Sequence, residues 1–234
     1  MSLLRGRFIS AGSALALLLL GNPAQATVLA THNTLAEWQT GTTVNGTIDF
    51  SSLGLAPGTW STLYMNVTGL TISGVNFVGI DAIGGYYLLP INPTGAQSFG
   101  TGTVLRGPVY QPSGSYIRVT LPASTAFAVD LATLGPDSQS FRVWLDGVDI
   151  GGPAISSNAW PNPRFWGVHT DTPFTQVRIV LNSGNSTTTQ SQIDNIRYGT
   201  YQAVQETPEI TSMLYMGCGI ALLWLTRRRR LARA

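Results

Sequence analysis

Between residues 27 and 199 the chain alternates apolar and polar side chains in short runs, punctuated by Gly, Pro, Asn, Ser and Thr. Alternation with a period of two puts one face of a strand into a core and leaves the other outside. Ile117, Val119 and Leu121 alternate with Arg118 and Thr120, which predicts a strand over 116–121. Phe127, Val129 and Leu131 predict another over 126–132, and Phe141, Val143 and Leu145 a third over 141–145. The Asp146-Gly147 pair that follows is a tight-turn signal, so 148–150 returns as its hairpin partner. Leu70, Ile72 and Phe77 mark a strand over 70–78, and Val177, Ile179 and Leu181 mark another. After a polar loop over 182–192, residues 193–198 read as the closing strand.

No run between residues 27 and 199 carries the periodicity of a ten-residue amphipathic helix. Strands that each bury one face must pack as two sheets or close into a barrel. The expected fold is therefore all-β: an antiparallel β-sandwich, jelly-roll-like, over residues 27–199. No internal repeat points to a propeller or solenoid. Residues 200–206 read as a linker.

The pattern changes at both ends. Residues 1–26 carry Arg5 and Arg7, an apolar stretch through Leu15, Leu17, Leu18, Leu19 and Leu20, and a small-x-small close at Ala24-Gln25-Ala26. That order marks a secretory signal peptide cleaved after Ala26. Residues 207–234 hold Pro208 and Glu209, an apolar run over 213–225, and then Arg227, Arg228, Arg229 and Arg230. A helix over that run reaches about 20 Å, against a hydrocarbon core of about 30 Å. Counting from Ile210 to Thr226 improves the fit, while Gly217 and Gly219 weaken the segment as a lasting helix. The arginine block serves as a stop-transfer signal under the positive-inside rule. The expectation is an exported protein held transiently in the inner membrane, then displayed at the cell surface or released.

These ends also carry most of the positive charge, so the formal +2 of the whole chain misleads. Within 27–206 the cations are Arg106, Arg118, Arg142, Arg164, Arg178 and Arg197, against all of the chain's 11 carboxylates except Glu209. That acidic balance excludes a nucleic-acid partner, which needs a basic face. Cys218, the only cysteine, lies in the tail, so the exported part is expected to use neither disulfides nor thiolate metal sites.

Few residues point to catalysis. A G-x-S-x-G elbow is missing, and neither His32 nor His169 belongs to an H-E-x-x-H pair. His169 and Asp171 bring two ligand types close together, but a metal needs more groups than these, and a polar turn before Pro173 is the favoured reading. Asp146 and Asp149 form a carboxylate pair of the kind used on glycosides, yet the first suits its turn and the second an exposed strand face. Asp194, beside Asn195, is either an oxygen ligand for Ca²⁺ or a hydrogen-bonding group at the start of the last strand, and the second is favoured. No catalytic, cofactor-binding or metal site is assigned, and no cofactor is implied.

In "NAWPNPRFWGV", residues 158–168, Trp160, Phe165 and Trp166 crowd around two prolines. They form either a glycan platform, since aromatic faces stack on sugar rings, or a core-and-edge pair, which the general burial of large aromatics favours. Asn45, Asn66 and Asn185 begin N-x-T sequons, which arise by chance in a chain of this composition.

The tail resembles the PEP-CTERM sorting signal of Gram-negative bacteria, in which a Pro-Glu-Pro motif precedes a membrane segment and an Arg cluster. Pro208 and Glu209 match the first two motif positions, and Arg227, Arg228, Arg229 and Arg230 match the basic end; Ile210 stands where the second proline is expected. "FWGVHTDTPFTQVRIV" and "IDNIRYG" are also similar to segments in the globular parts of such proteins. The resemblance implies removal of the tail by exosortase, a membrane-embedded cysteine protease, in bacteria that make exopolysaccharide. The resulting expectation is a non-enzymatic protein of the envelope or extracellular matrix. Its partners would be exosortase and the inner membrane during sorting, and exopolysaccharide thereafter. The alternatives are a glycan-binding module using Trp160 and Trp166, and an envelope glycoside hydrolase using Asp146, Asp149 or Asp194.

Overall fold

A computed structural model describes residues 26–81, 83–94, 102–108, 114–134, 139–152, 154–155, 163–182 and 190–203. Ala24, Trp160, Pro208, Glu209 and the arginines from Arg227 to Arg230 lie outside the described residues. The chain falls into two units, Met1–Tyr201 and Gln202–Ala234, and the second is described only at Gln202 and Ala203. Among the described residues no helix is long and apolar enough to cross a membrane.

The elements follow in the order β1 (Val28–His32), α1 (Leu35–Gln39), β2 (Thr42–Ile48), β3 (Leu70–Ile72), β4 (Val75–Ile80), β5 (Leu89–Ile91), β6 (Val104–Arg106), β7 (Tyr116–Leu134), β8 (Gln139–Leu145), β9 (Val148–Asp149), β10 (Ala154–Ile155), β11 (Arg164–Asn182) and β12 (Gln190–Tyr201). The fold is all-β, and the strands join in one antiparallel sheet whose main path runs β10-β8-β11-β7-β12-β6-β5. Helix α1 is capped by Thr34, whose hydroxyl accepts from Glu37 N at 3.3 Å and so satisfies one of the open donors of the first turn.

Two long strands organise the sheet. The first part of β7 pairs with β4 on one side and with the end of β11 on the other. Its second part pairs with β12 and with the start of β11. Pro122 falls between the two pairings of β7, and Pro173 falls in the register break of β11 between His169 and Phe174. A proline has no ladder donor, so it is tolerated where pairing is interrupted. The separate strands expected over 116–121 and 126–132 are thus one continuous strand. Ile117, Val119, Leu121, Phe127, Val129 and Leu131 keep the same parity through the bend and all enter the main core.

On β11 the parity does change. Trp166, Val168 and Phe174 face the core before the bulge, and Val177 and Ile179 face it afterwards. Between His169 and Gln176 β11 advances by one residue more than β7 does between Ala126 and Thr120, and this net extra residue moves the apolar set from even to odd positions, as a bulge must. Both halves of each long strand therefore serve one core, where Phe50 meets Phe77 edge-on at 5.2 Å.

Several sequence boundaries move. The strand expected over 70–78 is a hairpin, because Ser73 and Gly74 have φ of 48° and 80° and close Ile72 onto Val75. Positive φ at both central residues is what a type I′ turn requires. Asp146 and Gly147, at 44° and 89°, make the same kind of turn between Leu145 and Val148, as the sequence predicts. The polar loop expected over 182–192 loses Asn182 to β11 and residues 190–192 to β12. Thr200 and Tyr201, read as linker, continue β12 and pair with Thr43 and Thr42.

Candidate functional site

Directly opposed residues of an antiparallel pair share a sheet face. The register therefore lists what stands on the face turned away from the main core. At one edge Trp60 is bridged to Ile91, and Ile91 is paired with Val104. Ile91 and Val104 join Ala132 in a small apolar cluster separate from the main core. Leu89, Arg106, Gln192 and Ala132 are successive partners across β5, β6, β12 and β7. The next level holds Asp194, Asp130 and Phe165. Beyond it come Arg197, Ala128, Gly167 and His32, and finally Gly199, Ala126, His169 and Ala30. With strands about 4.8 Å apart, the stretch from Trp60 to Phe165 spans about 24 Å.

The middle of this face is a polar network. Asn195, with φ of 49°, sits in the break of register between Asp194 and Arg197. Asparagine tolerates that left-handed conformation better than most residues. The bend lets Asn195 Nδ2 donate to Asp130 Oδ2 at 2.8 Å, while Arg197 Nη1 donates to Asn195 O at 2.9 Å. Arg197 Nη2 lies 3.6 Å from Asp130 Oδ2, and its guanidinium lies 5.8 Å from the centre of the Phe165 ring. With its amide oxygen turned toward Arg106, the fully buried Gln192 accepts from Arg106 Nε at 3.3 Å and Nη2 at 3.2 Å. Burial holds Arg106 below the ordinary arginine value, opposed by nearby Tyr87. These side chains are positioned by one another before any ligand arrives. Trp60 adds an aromatic surface at the edge: it is 70% exposed, which is unusual for so large an apolar group.

The far end of the face brings together the two histidines of the chain. Thr42 Oγ1 donates to Trp38 O at 2.5 Å, which leaves its lone pairs for His169 Nε2 at 2.8 Å. His169 Nε2 also faces Trp38 O at 3.0 Å, so that nitrogen carries the proton. His169 Nδ1 then accepts from His32 Nε2 at 3.0 Å. Tyr201 stacks on the His169 ring at 4.0 Å and 16°. Burial pushes the His169 imidazole down to about 4, and nearby His32 adds to this, while the Trp38 carbonyl works against it. His32 is lowered too, by burial, against the influence of Glu37. Gly167 makes room for this arrangement, since a Cβ there would lie 2.6 Å from Trp38 Cδ1.

The residues singled out from the sequence take up different places. Trp166 is inside the main core and has no face free for a sugar. Phe165 lies on the opposite, outer face, packed beside Trp38, Ala126 and Ala128 and covered in part by Arg197. Asp146 accepts from Gln176 N at 2.8 Å and Thr175 N at 3.2 Å, tying its turn to the bulge of β11. Asp149 pairs with Arg142 and accepts from Gly151 N at 3.0 Å. Both carboxylates are thus engaged in holding turns. The segment from His169 to Asp171 is not a turn but part of β11, because Val28 and Ala30 of β1 pair with it. Asp171 accepts from Thr27 N at 2.8 Å, an interaction that holds its carboxyl low. Asp194 is fully buried and accepts from Asn195 N at 2.7 Å. Among the described residues no three His, Cys, Asp or Glu side chains converge on a metal position.

Sequence reasoning missed Trp60, Asp130 and Arg197, and did not connect His32 with His169. The histidines are 137 positions apart, and only the β1–β11 register joins them. For Asp130 a signal existed. It is a charged residue on the face of β7 otherwise lined by Ala126, Ala128 and Ala132.

No family model matches the chain, and no curated protein does. Solved structures do match. One is a variant of the catalytic domain of a GH87 α-1,3-glucanase in complex with nigerose, with a TM-score of 0.38 and 12% identity over 58% of this chain and 28% of that one. A glycoside hydrolase family 43 arabinoxylan arabinofuranohydrolase from Bacillus subtilis, in complex with cellotetraose, matches with a TM-score of 0.34 and 16% identity over 53% of this chain and 27% of that one. A family 29 carbohydrate-binding module variant complexed with mannohexaose gives 0.33 and 14% identity over 61% of this chain and 93% of that one. The chain spans less than a third of the length of the two hydrolases. At these identities the likeness concerns the fold alone. Glycoside hydrolase catalytic domains are among the matched structures, and the expectation of a non-enzymatic protein is withdrawn.

Proposed function

We propose that this is an exported, jelly-roll-like β-sandwich protein of the cell envelope or matrix that binds glycan on the outer face of its sheet. The observation that carries the reading is Trp60. It is 70% exposed and bridged to Ile91, which places it on the face that bears Arg106, Gln192, Asp130 and Asn195. An exposed indole supplies a flat apolar surface for a sugar ring, and the partly exposed Arg106, Asp130 and Asn195 supply hydrogen bonds to its hydroxyls, while the fully buried Gln192 only holds Arg106 in place. Tryptophan fluorescence, followed while matrix polysaccharides and their oligosaccharides are titrated in, tests this. Saturable binding should weaken about tenfold in Trp60→Ala, a loss of about 1.4 kcal/mol. Binding unchanged in Trp60→Ala but abolished in Trp160→Ala would move the site to the other loop and refute this assignment.

One observation favours hydrolysis as the second reading. Asp194 stands directly across from Asp130 on neighbouring strands, so two carboxylates share one level of the sheet. Asp130→Asn should abolish release of reducing sugar in a protein that circular dichroism shows to be folded. Activity untouched by that change removes Asp130 from the chemistry.

Export and sorting complete the proposal. The first described strand begins at Val28, and Thr27 N already donates to Asp171 at 2.8 Å. Cleavage after Ala26 would turn that nitrogen into an ammonium beside a carboxylate, a stronger contact than the amide it replaces. Pro208, Glu209 and the arginine block support removal of the tail by an exosortase. Intact mass of the protein recovered from its host decides both points: it should begin at Thr27 and lack the arginines. A mass that includes Arg227, Arg228, Arg229 and Arg230 leaves a plain membrane anchor instead.

A further inference from the structure

The histidine pair plays no part in the glycan face proposed above. We propose that His32 and His169 form a two-imidazole chelate for a divalent late transition-metal ion, with copper(II) as the best match. The nitrogens that face each other, His32 Nε2 and His169 Nδ1, stand 3.0 Å apart. Two nitrogens bound to one metal at about 2.05 Å are about 2.9 Å apart at a right angle and about 3.4 Å apart at the tetrahedral angle. The observed spacing lies nearer the first, the cis edge of a tetragonal copper site.

The surroundings of His169 are those that a ligand imidazole needs. Its other nitrogen donates to Trp38 O at 3.0 Å and to Thr42 Oγ1 at 2.8 Å, which fixes the tautomer and leaves Nδ1 with its lone pair on the side of His32. Tyr201, stacked at 4.0 Å, fixes the plane of the ring. For both rings to ligate, the proton now on His32 Nε2 moves to Nδ1 of the same ring. Both imidazoles stay neutral, and coordination releases no net proton. With no third His, Cys, Asp or Glu converging among the described residues, and with His169 buried, water reaches the remaining positions from the side of the half-buried His32.

The test is clean because the chain has two histidines, and its one cysteine, Cys218, can be replaced. Copper(II) is titrated into the untagged full chain in detergent, with Cys218→Ser present, and read by electron paramagnetic resonance. The proposal predicts one ion per chain with hyperfine structure from two imidazole nitrogens. His32→Ala, at the end of β1 with its ring half-buried, should weaken binding at least tenfold and leave one imidazole. Thr42→Val should keep both imidazoles but lower affinity about 10- to 100-fold, because the His169 ring loses a positioning partner. Circular dichroism checks that each variant is folded, and the wild-type spectrum decides alone if one is not. A wild-type spectrum with fewer than two imidazole nitrogens, or copper affinity unchanged in His32→Ala, overturns the proposal and leaves the pair as a hydrogen bond only.

Discussion

His169 sets how single side chains link this fold to pH. Its folded value, about 4, lies below the ordinary 6.5. Between the two, the unfolded chain binds a proton that the folded chain does not, so stability is full above 6.5 and falls as the pH drops toward 4. The slope from this one group is at most about 1.4 kcal/mol per pH unit, and the loss is complete below its folded value. His32 is shifted in the same direction and adds to it. Urea melts of the metal-free protein, run at intervals from about pH 7 to pH 4, read the slope; a flat profile across that window contradicts a buried neutral ring. None of this was legible along the chain, since a histidine's environment is set by residues far away in sequence. Trp60 and Trp166 differ in this respect. Trp166 sits in an alternating run with Val168, so its burial follows from the pattern, whereas "GTWST" around Trp60 has no periodicity to place it inside or outside.

At the scale of elements, the sequence reported phase well and continuity badly. The parity from Ile117 to Leu131 is unbroken, yet Pro122 reads locally as a break and suggests two strands where there is one. The shift in β11 is the reverse case. Its bulge becomes visible only when Trp166 and Val168 are seen to share a core with Val177 and Ile179. Helix α1 is five residues long, below the length at which a helical period can be read, yet it carries Trp38 onto the outer face of the sheet. That contact depends on Gly167. A Cβ at this position would lie 2.6 Å from Trp38 Cδ1 and 3.3 Å from the Ala128 Cβ, and the fully buried indole has nowhere to retreat. Gly167→Ala should therefore destabilise the protein by about 1–3 kcal/mol, the usual range for overpacking. A chemical-denaturation midpoint equal to that of the wild type would show that α1 is not seated against β11 at this point.

For the whole molecule, the all-β class followed from alternation and from the lack of any long helical period, but the partnerships of the two long strands did not. The folded unit closes with Tyr201 of β12 against Thr42 of β2, and it contains no cysteine. Residues 27–201 expressed alone should thus give a soluble, monomeric β protein indifferent to reductant. Circular dichroism dominated by helix would refute that architecture. The central claim, that glycan binds where Trp60 shares a sheet face with Arg106, Gln192 and Asp130, is tested most directly by the indole N–H signals of the six tryptophans in a ¹⁵N-labelled sample. As a matrix oligosaccharide is added, the Trp60 signal should move in a saturable way, and that of Trp166 in the core should stay fixed. A saturable shift at Trp160 with Trp60 unmoved, or no shift at any indole, would contradict the account.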